Sequence, residues 1–258
     1  MATKLSKPNQ SVEKVLQLIE TMSGEGGAMR LQDLAERCDL PASTALRMLN
    51  TLLLHGYVNQ DPHTLRYALS LKFAQIGSQV CAQNNLRDIA HPFLAELSRR
   101  CRESCCLAIE EEMEMVYTDV QDGPDSMLKI MQRIGKRAPM HSTGVGKLLL
   151  LNYTESQLDT YIDRKGLPAL TRNTLTTKES LIAKLAEIRA QGYALDDEEC
   201  ELGARCVAAP VRDYTGSIVA GLSVSGPVSR MTEERTKEIA PLVMEAANKI
   251  SEKMGYQL

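Results

Sequence analysis

Long apolar runs are missing from this 258-residue chain, and nothing in it approaches the roughly 20 residues that a membrane-spanning helix needs. Its opening stretch, Met1-Ala2-Thr3-Lys4-Leu5-Ser6-Lys7-Pro8, lacks the apolar centre of a secretory signal. A cytoplasmic location is therefore expected, with no membrane partner. Metal-binding residue patterns are missing as well. Four histidines are scattered at positions 55, 63, 91 and 141, and the seven cysteines at 38, 81, 101, 105, 106, 200 and 206 form no Cys-x-x-Cys pair. That spacing excludes the usual zinc and thioredoxin-like patterns. Reduced, buried thiols are expected, and neither a metal nor a cofactor.

A surplus of positive charge is absent too, since the formal net charge is −3. Between Met1 and Tyr67, Lys4, Lys7, Lys14, Arg30, Arg37, Arg47 and Arg66 are balanced by Glu13, Glu20, Glu25, Asp33, Glu36, Asp39 and Asp61. Neutralisation of phosphates by Lys and Arg dominates DNA affinity. A DNA reader in this part of the chain has to cluster its bases on one face and act in two copies.

What is present is an ordinary globular composition, 43% hydrophobic and 24% charged, in a chain long enough for two domains of about 100–150 residues. The N-terminal part is organised around Leu31 to Tyr67. Leu31, Leu34, Ala35 and Cys38 stand at helical spacing and predict an amphipathic helix. The chain breaks at Asp39-Leu40, and Pro41 stands where a first helical turn tolerates a missing N–H. A second helix follows, with Ala45, Leu46, Leu49, Leu52 and Leu53 expected on its buried side and Ser43, Thr44 and Arg47 on its open side. Gly56 stops it. Tyr57–Gln60 and Leu65–Leu69, joined through Asp61-Pro62-His63, have the alternation and turn chemistry of a β-hairpin. Helix, turn, exposed polar helix start and hairpin is the order of a winged helix-turn-helix, which lays its second helix in a DNA major groove. Ahead of this unit, Ser11 is expected to cap a helix with Val12, Val15, Leu16 and Ile19 as its buried stripe.

From Ser70 to about Gln83, Leu71, Phe73, Ala74, Ile76 and Val80 predict a linking helix, and Asn84-Asn85 breaks it. The next helix carries Pro92 inside its apolar pattern, which implies a late start or a kink. Beyond Cys101 short strand-like runs appear at Cys105–Ile109, Met115–Val120 and Met127–Met131. Helices are expected over about Gly144–Leu151, Ser156–Lys165 and Lys178–Gln191, with Gly192 as the last one's cap. Strands at Cys206–Val211 and Ser217–Ser225 and a closing helix from Glu233 to Met254 complete the chain. Strands grouped with flanking helices predict an α+β fold.

The run Ile218 to Ser225 splits by period two. Ile218, Ala220, Leu222 and Val224 suit packing under helices. Val219, Gly221, Ser223 and Ser225 form a small face ending in two hydroxyls, which reads equally as a ligand-pocket wall or as an exposed sheet face. Gly144-Val145-Gly146-Lys147 tempts a phosphate-loop assignment, but His141 stands where the loop's first glycine belongs and Leu148 where its hydroxyl belongs. A glycine-opened helix start, with N–H groups able to hold a carboxylate, is the more economical reading. The acidic run Asp196–Glu199 with Glu201 matches no EF-hand spacing; one member turned into a pocket is plausible, a metal cage is not. Cys206 is the one candidate nucleophile and His141 its one candidate base, with nothing in the sequence to unite them.

Together these residues resemble the IclR family of bacterial transcriptional regulators over nearly the whole chain. The matching stretches are Leu40-Pro41-Ala42-Ser43-Thr44-Ala45-Leu46-Arg47, Arg133-Ile134-Gly135 through His141-Ser142-Thr143-Gly144-Val145-Gly146-Lys147, and Gly192-Tyr193-Ala194-Leu195-Asp196-Asp197-Glu198-Glu199. Denser still are Gly203-Ala204-Arg205-Cys206-Val207-Ala208-Ala209-Pro210-Val211 and Ala220-Gly221-Leu222-Ser223-Val224-Ser225-Gly226-Pro227. Each is weak alone; in order and at these spacings they are specific. The resemblance implies a winged helix-turn-helix over 1–70, a linker helix over 71–85 and a GAF-like effector-binding and oligomerisation domain over 86–258. It implies a non-enzymatic regulator, more a repressor than an activator, that binds palindromic double-stranded operator DNA as a homodimer or dimer of dimers. A small metabolite, often an organic acid, would control it. The effector roles fall on Gly144, Val145, Asp196, Cys206, Ser223 and Ser225, with Leu128, Ile130 and Met140 expected as an apolar wall. The DNA roles fall on Ser43, Thr44 and Arg47, with Arg66 on the wing as a phosphate contact. Two rival readings are a GAF-like thiol enzyme using Cys206 and a sensory module acting through protein contacts.

Overall fold

The protein is described here by a computed structural model, which covers residues 7–83, 85–123 and 130–257. The chain divides after Asn84 into two compact units.

In the first unit, α1 (Gln10–Gly24) is capped by Asn9, whose side chain accepts from the Ser11 N–H at 3.0 Å. The expected cap, Ser11, is already inside the helix. The buried row is Val15, Leu18, Ile19 and Met22, whereas Val12 and Leu16 are 54% and 52% exposed. The core is met by positions 15, 18, 19 and 22 of one helical face, so Leu16 falls beside it and Val12 a turn short of it.

Helices α2 (Leu31–Arg37) and α3 (Ala42–Leu54) meet across Asp39, which takes a left-handed φ of 49°, and Pro41 flanks the start of α3. The core row of α3 is Ala45, Met48, Leu49 and Leu52. Leu46, expected in that row, lies beside it and is exposed, and Leu53 only partly packs. Strands β1 (Val58–Gln60) and β2 (Tyr67–Leu69) pair antiparallel. Their turn is held by Asp61, whose Oδ1 accepts from the N–H groups of Thr64 at 2.7 Å and His63 at 3.0 Å. Helix α4 (Lys72–Gln83) follows, with Phe73 packed 5.2 Å from Tyr57.

The second unit is a six-stranded antiparallel sheet in the order β5-β4-β3-β8-β7-β6. The strands are β3 (Ser104–Glu111), β4 (Glu114–Gln121), β5 (Arg137–Ala138), β6 (Ala194–Asp197), β7 (Ala204–Arg212) and β8 (Ile218–Pro227). On one face Ala90, Leu94 and Leu97 of α5 (Leu86–Cys101) and Ile239, Val243 and Ile250 of α9 (Glu233–Lys253) bury against Leu107, Val207, Leu222 and Val224. On the other, α6 (Gly144–Leu150), α7 (Glu155–Lys165) and α8 (Lys178–Gln191) bury Leu148, Tyr161 and Leu185 against Ala108, Met115, Ala194 and Ala208. This is the expected α+β arrangement, and each sheet face is read off by alternation along its strands.

Departures from the sequence reading have local causes. Pro92 does not delay α5, because Asn85 caps it at Leu86 and the helix runs through the proline. Strand β6 lies where only an acidic run was read. It forms because Ala194 and Asp196 turn to one face, Leu195 packs towards α5 and α9, and the backbone pairs with β7. In β8 the period-two split fails at its start. A bulge opposite Val211 and Arg212 places Ile218 in the α6–α8 core and Val219 against the other one, so these two exchange the faces expected of them. Of the expected strand Met127–Met131, residues 127–129, Leu128 among them, lie outside the described residues, and Ile130 and Met131 are not in a strand.

Candidate ligand pocket and DNA-reading face

The sheet register builds a row of side chains. Asp196 of β6 pairs with Cys206 of β7, and Cys206 pairs with Ser225 of β8, so the three stand side by side on the face beneath α6. Ser223 lies two residues along β8, between Ala208 and Cys106 of β3. Above them is a cavity of about 820 Å³ lined by Gly144, Val145, Ile130, Asp196, Cys206, Ser223 and Ser225. Met140, expected in its wall, is instead wholly buried in the core under α6–α8, where its backbone abuts Gly146. Leu128 lies outside the described residues.

Glycines seat α6 on this face. A Cβ on Gly144 would lie 3.2 Å from that of Ala208 and 3.4 Å from Cys206 Sγ, and one on Gly146 would stand 2.3 Å from Met140 Cα. Gly221 serves the same end: a Cβ there would meet Val145 at 2.6 Å. The room that Gly221 leaves is therefore filled by Val145 and not kept for a ligand. Thr143 caps the helix by accepting from the Gly146 N–H at 3.1 Å, so the N–H groups of Gly144 and Val145 are those without an intrahelical acceptor.

Asp196 is the buried charge of the lining, whereas Lys136, Arg137 and Glu201, which also line the cavity, are exposed. Asp196 is 7% exposed, and its Oδ1 accepts from the N–H groups of Glu199 at 2.9 Å and Cys200 at 3.2 Å. Burial pushes its carboxyl up to about 7, against the pull of the nearby Lys147 cation. Lys147 is fully buried and pairs with Glu199, so it is neither solvated nor a phosphate-loop lysine. The Cys206 thiol is pushed up to about 12 by burial, which leaves almost no thiolate near neutral pH. His141 is occupied elsewhere, with its ring nitrogens 3.3 Å from the Tyr161 hydroxyl and 3.1 Å from the Pro168 carbonyl. Burial also lowers its pKa and favours the neutral ring. Among the described residues no cluster of three or more His, Cys, Asp or Glu side chains is arranged to hold a metal.

In the first unit Ser43 and Arg47 are exposed on α3, Thr44 is half-buried, and Leu46 and Asn50 share the outer face with them. Arg66 lies on the hairpin, where its Nη1 donates to the Ala28 carbonyl at 3.3 Å. No described helix is long and apolar enough to cross a membrane.

Comparison with known proteins agrees with both units. The profile of the IclR helix-turn-helix domain matches residues 11–62, and that of the bacterial transcriptional regulator IclR C-terminal domain matches residues 78–252. The chain belongs to the IclR family. Its relatives include the HTH-type transcriptional regulator XynR of Escherichia coli (strain K12), 34% identical over 96% of this chain and 98% of that one. The transcriptional repressor IclR of the same organism is 34% identical over 94% and 89%. Among solved structures, the Thermotoga maritima IclR superposes with a TM-score of 0.64 at 32% identity, covering 96% of this chain and 99% of that one. This chain is thus a DNA-binding transcriptional regulator of the IclR type, with the helix-turn-helix and the C-terminal domain that define the family.

Sequence reasoning missed Gln132 and Tyr117 of the cavity lining and Cys106, which is buried beside Ser223. Gln132, on an irregular segment, reaches Ser225 with its amide, and Cys106 lies 2.9 Å from Ser223 Oγ. Tyr117, also in the lining, was read only as part of a strand. Nothing in a single IclR-type sequence marks Gln132, whereas the alternation of β3 would have put Cys106 on the serine face once its pairing with β8 was known.

Proposed function

We propose that this chain is a repressor whose hold on a palindromic operator is relieved or altered by a small organic acid bound in the pocket over Ser223 and Ser225. One observation carries the reading: residues from four separate segments, at 144 and 145, 196, 206, and 223 and 225, line a single cavity. Its floor offers hydroxyls and a carboxyl that is half-protonated near neutral pH, with the free N–H groups of α6 at its wall, a set suited to a carboxylate with further polar groups. In this reading Ser43, Thr44 and Arg47 meet the major groove and Arg66 meets a phosphate once released from Ala28. A homodimer or dimer of dimers presents them twice, which the balanced charge of residues 1–67 favours. Effector and operator are coupled because the effector binds two arrangements of the assembly with different affinity. The protein acts in the cytoplasm and turns over no substrate; the high thiol pKa of Cys206 and the prior engagement of His141 speak against a thiol enzyme.

The test is a footprint of purified protein on its own upstream DNA, expected to vanish with Arg47→Ala and to survive Cys206→Ser. No protected site at low salt would overturn the reading. A thermal-shift screen of small carboxylates, sugar acids and aromatic acids then defines the effector, with Ser223→Ala or Asp196→Ala expected to abolish the hit.

A further inference from the structure

The pocket floor is already engaged from within. Ser223 Oγ lies 2.9 Å from the Cys106 thiol, and Ser225 Oγ accepts from Gln132 Nε2 at 3.0 Å. Gln132 comes from the segment between β4 and β5, so its side chain crosses the sheet face to reach β8. On the way its amide stands near enough to Tyr117 of β4 and Cys106 of β3 to favour their anions slightly, against the larger effect of burial. Yet the amide is poorly satisfied, because its Oε1 is buried without a hydrogen-bond partner. Exchanging its two ends does not help: Ser225 would then donate to Oε1, and the amide N–H groups would lose this acceptor. A buried polar end without a partner makes the contact cheap to give up.

We propose that Gln132 is a built-in stand-in for the effector, holding Ser225 and roofing Cys106 until a ligand displaces it. This rests on reading the cavity as the effector site, and it narrows what can enter. The incoming group has to offer Ser225 something better than an amide N–H. A carboxylate or hydroxyl oxygen does so, because Ser225 then donates its own O–H, and the poorly satisfied amide is set free. Gln132 is in this sense a specificity-determining residue of the pocket.

The test needs neither ligand nor DNA, so its failure is separate from a failed footprint. The full chain is treated with methyl methanethiosulfonate, and each cysteine is followed by peptide mass spectrometry. Three thiols report. Cys106 is fully buried on the pocket face, Cys206 is partly exposed in the pocket wall, and Cys105 is fully buried on the opposite face against α5 and α9. In the wild type all three should label slowly, Cys105 and Cys106 because they are fully buried and Cys206 because its raised thiol carries almost no thiolate near neutral pH. In Gln132→Ala, Cys106 labelling is expected to rise by roughly tenfold while Cys105 stays protected, as local uncovering without unfolding requires. Cys106 remaining at its wild-type rate overturns the proposal. Should Cys105 label as well, the fold has loosened and Ser225→Ala decides, since it deletes one hydroxyl and leaves Gln132 in place without its anchor. Faster labelling of Cys106 in that variant supports the stand-in, and unchanged protection overturns it.

Discussion

Asp196 carries the most distinctive electrostatics of any single residue here. Its carboxyl is raised from the ordinary 3.8 to about 7 because burial disfavours the charge. A group whose folded-state pKa lies above its unfolded value binds an extra proton on folding. Between those two values the native chain holds more protons than the unfolded one, so stability falls as pH rises through that window. Asp196→Asn should remove this contribution while keeping an oxygen to accept from the Glu199 and Cys200 N–H groups. Urea unfolding at about pH 5 and about pH 8 is expected to show a loss of up to a few kcal/mol in the wild type and a clearly smaller one in the variant. An equal loss in both would place the titration elsewhere. Ligand binding should share the sign, since an anionic effector meets a neutral Asp196 at low pH and a like charge above it.

At the level of elements, α6 depends on what β8 does not carry. Gly221 has no Cβ, and Val145 occupies the space one would take, with Cγ1 2.6 Å from that position. Gly221→Ala should therefore destabilise the second unit by about 1–3 kcal/mol through overpacking. Val145→Ala in the same chain should recover part of the loss, giving a coupling of roughly 1 kcal/mol in a double-mutant cycle of denaturant midpoints. Additive losses would mean that the helix and strand do not press on each other here.

The same elements show what a sequence reader can and cannot see. The span of α8 and its Gly192 cap were legible because a polar start, an apolar row and a glycine agree. The bulge in β8 was not, because it arises from pairing with β7 and leaves no mark on Ile218 or Val219 themselves. Hydrophobicity alone turns Leu16 and Leu46 inwards, yet each lies beside its helix's core row. Strand β6 was hidden by its acids, which read as solvated until Asp196 is seen paired with Cys206. As for the pocket, period two found the serines, and the family resemblance supplied Gly144, Val145, Asp196 and Cys206. Gln132 escaped because an irregular segment has no periodicity to betray which way a side chain turns.

The whole molecule has to bind DNA with little net attraction to offer. With seven basic and seven acidic residues before Leu69, the proposed assembly would have to draw its affinity from a few well-placed side chains presented more than once. Operator affinity should therefore fall steeply when the assembly is diluted to single chains. Arg66→Ala is expected to lower the slope of log affinity against log salt by about 0.9 for each copy that lays this residue on a phosphate. Gel shifts over a salt series measure it, and an unchanged slope would take Arg66 off the phosphates. The exposed Leu46 also bears on what that operator contains. An isobutyl group beside Ser43, Arg47 and Asn50 on the outer face of α3 has no hydrogen bond to give. In a major groove the one apolar feature it can meet is the thymine C5-methyl. Half-sites should thus carry a thymine opposite Leu46, and operator duplexes made with deoxyuridine at that position should bind less tightly while keeping every Watson–Crick pair.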